Sequence, residues 1–219
     1  MNDSILTADH IDAGYNHKTI VSNVSVTIPQ NKISVILGAN GCGKSTLLKT
    51  FARLLPAQGG HILLDGKQIS EIPSRQLAKT LGLLPQSPVV PEGIRVMDLV
   101  SRGRFPYRQF LKSMTKEDFA AVEEAMEIMG ITELADRAVD ELSGGQRQRV
   151  WIALALAQQT DILLLDEPTT FLDIAYQIEI LDMLTDLNRK YKTTIAMVLH
   201  DINLSARYAD YLFAMKLGK

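Results

Sequence analysis

Ile33-Ser34-Val35-Ile36-Leu37-Gly38-Ala39-Asn40-Gly41-Cys42-Gly43-Lys44-Ser45-Thr46-Leu47-Leu48-Lys49-Thr50-Phe51-Ala52-Arg53 is the stretch from which the fold of this chain is read. The apolar run Ile33 to Leu37 has the length and bounds of a buried strand, and the amphipathic stretch to Arg53 reads as a helix. Between them, Gly38 through Ser45 fits G-x-x-x-x-G-K-[ST], in the strand-loop-helix context that pattern needs. Glycines let the backbone curl until successive N–H groups face phosphate oxygens, and the helix N-terminus adds partial positive charge. Gly38, Ala39, Asn40, Gly41, Cys42, Gly43 and Thr46 are therefore candidate nucleotide-binding positions. Lys44 is placed to reach the β and γ phosphates, and Ser45 to ligate Mg²⁺. The competing reading is an ordinary glycine-rich turn, but a chance match is on the order of one per cent before strand and helix context is counted. Cys42 has two readings, a thiol activated at a helix N-terminus or a small side chain that the loop tolerates.

A second strand signal, Ile162 to Asp166, ends in the carboxylate pair Asp166-Glu167. A carboxylate at the end of a central strand beside such a loop suits Mg²⁺, which assigns Asp166. Glu167, one residue on, is placed to orient and deprotonate an attacking water; a solvated acidic turn is the alternative. A helix through Tyr191 follows, with Ile174, Ile178, Leu181, Leu184 and Leu187 on one face, and then a strand from Thr194 to Leu199. Strands alternating with helices predict an α/β fold with a mostly parallel sheet. Ahead of it, Ile5 to His10 and Thr19 to Ile28, joined through Gly14 and Asn16, predict a small antiparallel β layer. The region 88–158 is different in character. Thr115 and Asp118 form a capping box, Phe119, Val122, Met126 and Met129 keep helical spacing, and Gly130 is a stop signal. This predicts a helical subdomain inserted into a core made of 1–87 and 159–219, the whole chain forming one domain.

The 219 residues carry 23 Lys plus Arg against 25 Asp plus Glu, a net charge of −2, which argues against nucleic-acid binding by bulk charge. At 46% hydrophobic residues the chain can bury a sizeable core. No apolar run approaches the roughly 18 residues that cross a bilayer, so any membrane role comes through a partner. Met1 to His10 lacks the basic-then-apolar layout of a signal peptide. One cysteine excludes an internal disulfide, and the four histidines show no zinc-ligand spacing with it.

Leu142-Ser143-Gly144-Gly145-Gln146 precedes a helix through Trp151 and Leu156, and by itself Ser143 with Gln146 makes a capping box. Followed by Arg147-Gln148-Arg149, the pentapeptide resembles the signature motif of the ABC transporter ATPases, which belong to the P-loop NTPases. The resemblance runs over essentially the whole chain. It implies a homodimer of cassettes sandwiching two ATP molecules, each held between the phosphate loop of one copy and Ser143, Gly144, Gly145 and Gln146 of the other. A capped helix N-terminus is also an anion site, so both readings can hold together. Further positions match the family singly. Tyr15, in Ala13-Gly14-Tyr15, matches the aromatic that stacks on adenine, although a plain strand aromatic has the same appearance. Gln86, in Leu83-Leu84-Pro85-Gln86, matches the glutamine that senses Mg²⁺ and the attacking water. Asp173, in Thr170-Phe171-Leu172-Asp173, matches the loop that crosses the dimer interface, and His200 matches the histidine that contacts the γ-phosphate.

Three segments resemble ferric-siderophore importers in particular: Pro91 to Ile94 through Arg102 to Tyr107, Glu167 to Ile174, and Val198 to Asn203. The implied activity is ATP hydrolysis that drives import of iron chelates through integral membrane permease subunits. A periplasmic or surface substrate-binding protein takes part indirectly, and the location is the cytoplasmic face of a bacterial membrane. Haem and cobalamin importers are close relatives and remain the alternative cargo. The basic and aromatic stretch Ser101 to Phe110 is expected to form the surface that meets the membrane subunits; stacking on single-stranded nucleic acid is its other reading. A small-molecule kinase has no use for the signature pentapeptide, and non-transport cassettes usually carry coiled coils or tandem cassettes. Family cassettes continue past Leu217-Gly218-Lys219, so the chain is expected to be cut short at a hairpin turn, leaving strand Tyr211 to Met215 with an open edge.

Overall fold

The computed structural model describes residues 5–16, 18–88, 91–108 and 112–219. The N-terminal antiparallel layer forms from β1 (Leu6–Tyr15), β2 (Lys18–Ile28), β4 (Gly59–Leu64) and β5 (Lys67–Gln68), in the order β2-β1-β4-β5. The second sheet holds β3 (Ile33–Gly38), β6 (Leu81–Leu84), β7 (Ile162–Asp166), β8 (Thr194–Val198) and β9 (Tyr211–Met215), in the order β6-β7-β8-β3-β9. Every neighbouring pair in it is parallel.

Parallel strands covered on both faces read as near-continuous apolar runs, and β7 and β8 are buried throughout, with polar groups only at an end, Asp166 and Thr194. Their side chains alternate between two cores with the strand period of two. Leu163 and Leu165 pack with the helices of the middle region, whereas Ile162 and Leu164 pack toward Leu47, Leu48 and Phe51 and the antiparallel layer. The helices are α1 (Lys44–Phe51), α2 (Ser74–Thr80), α3 (Val96–Ser101), α4 (Lys116–Ile128), α5 (Gly144–Ala157), α6 (Ile174–Tyr191) and α7 (Ile202–Tyr208). α3, α4 and α5 pack on one another and form the helical region between β6 and β7.

The capping boxes read from sequence are both present. Thr115 Oγ1 accepts from the Asp118 amide at the start of α4, and Ser143 Oγ accepts from the Gln146 amide at the start of α5. Two helix faces differ from expectation by one residue each. Phe119 is exposed while Val122, Met126 and Met129 are buried, and Ile174 is exposed while Leu181, Leu184 and Leu187 are buried. Phe119 lies off the face that Asp118, Ala121, Val122, Ala125 and Met126 bury, and Ile174 is the first residue of α6, ahead of its buried run.

β9 pairs only with β3 and forms the sheet edge, with Tyr211 and Leu212 exposed. The turn after it is closed, because the Lys216 amide donates to the Lys219 carbonyl. It also braces other parts. The Gly218 amide donates to the Cys42 carbonyl, and the Gly218 carbonyl accepts from the Ser22 amide. Thus the end of β9 clamps the phosphate loop against β2.

Candidate nucleotide site

The C-terminal ends of β3, β7 and β8 face the same way because the strands are parallel, and ligands of open α/β sheets collect there. An open cleft of about 590 Å³ lies at this end, lined by residues that include Asn40, Lys44, Ser45, Gln86, Glu167 and His200. Gly41, Gly43 and Thr46 also line it. The loop's curvature depends on two glycines. Gly43 sits at φ 105°, a left-handed conformation closed to most side chains, and a Cβ on Gly38 would lie 2.4 Å from the Met215 carbonyl oxygen. The Lys44 ammonium lies across the loop, donating to the Gly38 and Ala39 carbonyls at 2.9 and 3.1 Å.

Ser45 Oγ donates to Asp166 Oδ1 at 2.8 Å, joining the start of α1 to the end of β7. Burial pushes the Asp166 carboxyl above its ordinary range, opposed by the Ser45 hydroxyl. A hard oxygen pair of this kind fits Mg²⁺, which is commonly held by one or two protein oxygens with substrate phosphates and water completing the shell. Among the described residues no cluster of three or more His, Cys, Asp or Glu could hold a metal by protein ligands alone.

Glu167 takes a left-handed backbone, φ 56°, which is uncommon for a side chain of its size. Its carboxylate is held on both oxygens. His200 Nε2 lies 2.6 Å from Oε1, Gln86 Nε2 donates to Oε2 at 2.6 Å, and Thr170 Oγ1 donates to the same oxygen at 2.9 Å. Residues from four sequence regions thereby meet: the end of β7, the segments after β6 and β8, and the loop before α6. Thr170 and Phe171 were not singled out from sequence, yet both line the cleft, as does Ile20. A hydroxyl three residues beyond a strand-end carboxylate is the signal for Thr170.

The other candidates stand apart from this cleft. Tyr15, at the end of β1 and 42% exposed, is not among its lining residues. Ser143, Gly144, Gly145 and Gln146 form the N-terminus of α5, where Gly145 lies against the Tyr176 ring of α6. Asp173 caps α6, accepting from the Tyr176 amide at 3.0 Å. Cys42, between two lining glycines, is itself buried among apolar neighbours and does not line the cleft, which favours the reading of a small tolerated side chain.

The basic stretch needs a correction. Of Ser101 to Phe110, residues 101–108 are described. Arg104 is not part of a docking surface: it is 4% exposed, and its Nε donates to Asp118 Oδ1 at 2.9 Å. Its Nη1 donates to the Ala157 carbonyl and to Gln159 Oε1, at 2.8 and 3.0 Å. Phe105, next in sequence, is 75% exposed. Arg104 is interior cement for a lip whose outer face is Arg102, Phe105 and Arg108.

Comparison with known proteins places this geometry. The ABC transporter family model matches residues 21–170. The achromobactin transport ATP-binding protein CbrD of Dickeya dadantii is 52% identical over 210 residues, 96% of this chain and 78% of that one. The ferric enterobactin transport ATP-binding protein FepC of Escherichia coli is 49% identical over 214 residues, 98% of this chain and 79% of that one. Among solved structures, the dimeric bacterial ABC transporter cassette MJ0796 superposes with a TM-score of 0.85 at 27% identity, covering 97% of this chain and 95% of that one. A phosphate loop, a strand-end carboxylate pair and a capped signature helix thus occur together in a chain that belongs to the ABC transporter family, as one of its ATP-hydrolysing subunits.

Proposed function

We propose that this chain is the ATP-hydrolysing subunit that energises import of a ferric siderophore through partner membrane permeases. The observation that carries the engine is convergence: Lys44, the Ser45–Asp166 pair, Gln86, Glu167 and His200 come together at the end of the parallel sheet. The cargo reading rests on relatives about half identical over almost the entire chain, which are named for siderophore transport. Core segments 1–87 and 159–219, with the helical region 88–158 between them, act as one cassette.

The chain's residues divide the work by position. Loop amides and the Lys44 ammonium receive the phosphates of ATP. Ser45 and Asp166 would hold Mg²⁺, whose charge offsets that of the β and γ phosphate oxygens. Glu167 is the general base: one of its oxygens takes the proton of the attacking water, while Gln86 and Thr170 fix the carboxylate's orientation. His200, 2.6 Å from Glu167 Oε1, lines the same cleft as Lys44 and would contact the γ-phosphate there. The N-terminus of α5 from a second copy closes the sandwich, and Asp173 lies on the loop that crosses to that copy. Opening and closing move the lip at 102–108 and, through it, the membrane subunits at the cytoplasmic face of a bacterial membrane.

The test is uptake of radiolabelled ferric siderophores, with haem and cobalamin in parallel, in cells lacking the gene and complemented with wild type or Lys44→Ala. Rescue of a ferric chelate by wild type alone is expected. Rescue confined to haem or cobalamin would keep the engine and overturn the cargo; no rescue of any cargo would favour a non-transport cassette.

A further inference from the structure

The lip at 102–108 is held by more than Arg104. Arg75, on α2, donates from Nε to the Pro106 carbonyl at 2.7 Å, and from Nη2 to the Tyr107 and Arg108 carbonyls at 3.1 and 2.6 Å. One turn along the same helix, Lys79 Nζ stands 4.8 Å from the centre of the Tyr107 ring. The opposite side of the lip is fixed to the helical region, with the Arg104 guanidinium 3.9 Å from the Tyr107 ring centre. Tyr107 is therefore flanked by a cation from each half of the molecule.

α2 is no isolated surface helix. It runs directly into β6, which pairs with β7, and Gln86 follows two residues after β6 ends. At its other end, Arg53 Nη2 donates to Ser74 Oγ at 2.9 Å, linking the segment that follows the phosphate-loop helix α1 to the start of α2. A displacement of Gln86 or of α1 is thus passed to α2, whose Arg75 grips the lip through three carbonyls. Carbonyl acceptors suit this purpose: a guanidinium fork bound to three consecutive peptide groups fixes their orientation as well as their distance.

We infer that Arg75, supported by Lys79, is a positioning residue that makes the 102–108 lip follow the nucleotide site. The inference rests on the nucleotide-site reading above but not on the cargo. Arg75 touches no reacting group; its role is carried out through the lip.

Hydrogen exchange of the full chain with and without ATP, resolved by mass spectrometry, tests it. In wild type, ATP should slow exchange in peptides covering 38–46 and change it in those covering 102–108. In Arg75→Ala the response at 38–46 should persist, while exchange of the lip rises about tenfold and no longer depends on ATP. Arg75→Lys should restore part of that dependence, and Lys79→Ala should weaken it less. A merely structural role would raise lip exchange without abolishing its response to ATP. An ATP response at the lip that survives in Arg75→Ala, or that wild type lacks, overturns the inference. Failure of ATP to protect 38–46 in wild type would instead overturn the nucleotide-site reading itself.

Discussion

Two helix N-termini carry the anion-binding assignments of this molecule, and they are built in opposite ways. α1 begins at Gly43, which takes φ 105° and provides no side-chain cap. α5 begins at Ser143 in a complete capping box, with Gln146 Oε1 accepting from the Ser143 amide at 3.1 Å. An uncapped terminus leaves its orphan donors to whatever enters the cleft. The capped one has already satisfied two donors, yet Gly144 and Gly145 fall outside the box, and a Cβ on Gly144 would meet open space. On the proposed function, the first terminus is completed by a ligand held within its own chain, while the second, capped beforehand, offers Gly144 to an approaching molecule.

The strongest way to break this division is Glu167→Gln. ATP hydrolysis should fall by about a hundredfold to ten-thousandfold with nucleotide binding retained. Light scattering of that variant with ATP should show a dimer, since the open face of α5 then has a stable occupant; a lone monomer would break the assignment of α5 to a second copy. Next in size is Arg104→Ala, which strands the Asp118 carboxylate in the interior and leaves the Ala157 carbonyl at the end of α5 without its donor. Urea denaturation should show a loss of about 3–5 kcal/mol. Burial alone would raise the Asp118 carboxyl, but the Thr115 amide and the Arg104 guanidinium outweigh it and leave it below the usual range. Its stabilisation is therefore complete above the unfolded value near 4 and is lost as pH falls through the lower folded value. Wild type should lead Asp118→Asn most at neutral pH, with the gap closing in acid. Lys44→Ala removes a charged donor from the phosphate loop and should weaken ATP binding by about 1.5–3 kcal/mol, measured by titration calorimetry.

These contrasts were unequally legible in sequence. β3, β7 and β8 announce themselves because a strand buried on both faces reads as a near-continuous apolar run, interrupted here only by Ser34, Asp166 and Thr194. Both capping boxes are local signals and appear where the residues place them. The β4–β5 hairpin was missed, although Asp65-Gly66, with both residues at positive φ, is a strong two-residue turn signal. Arg104 was misplaced for a different reason. A charged residue in a basic, aromatic stretch reads as surface, and its burial depends on Asp118 and Gln159, partners that local pattern cannot bring together. The same limit hid Thr170 and Arg75, whose roles are set by what folds against them.

The smallest effect sharpens the comparison most. Ser143→Ala removes the hydroxyl that accepts from the Gln146 amide and should cost about 1 kcal/mol of stability by urea denaturation. Its consequence for nucleotide should be divided in two. Affinity of the single chain for ATP should not change, because Ser143 is no part of the cleft that holds Lys44 and Ser45. The ATP-dependent dimer, measured in the Glu167→Gln background, should weaken, since the Gly144 and Gly145 donors lose the cap that fixes their direction. If Ser143→Ala weakened ATP binding to the monomer as Lys44→Ala does, both termini would belong to one site within one chain. If neither quantity moved, the box at α5 would be a helix cap and nothing more.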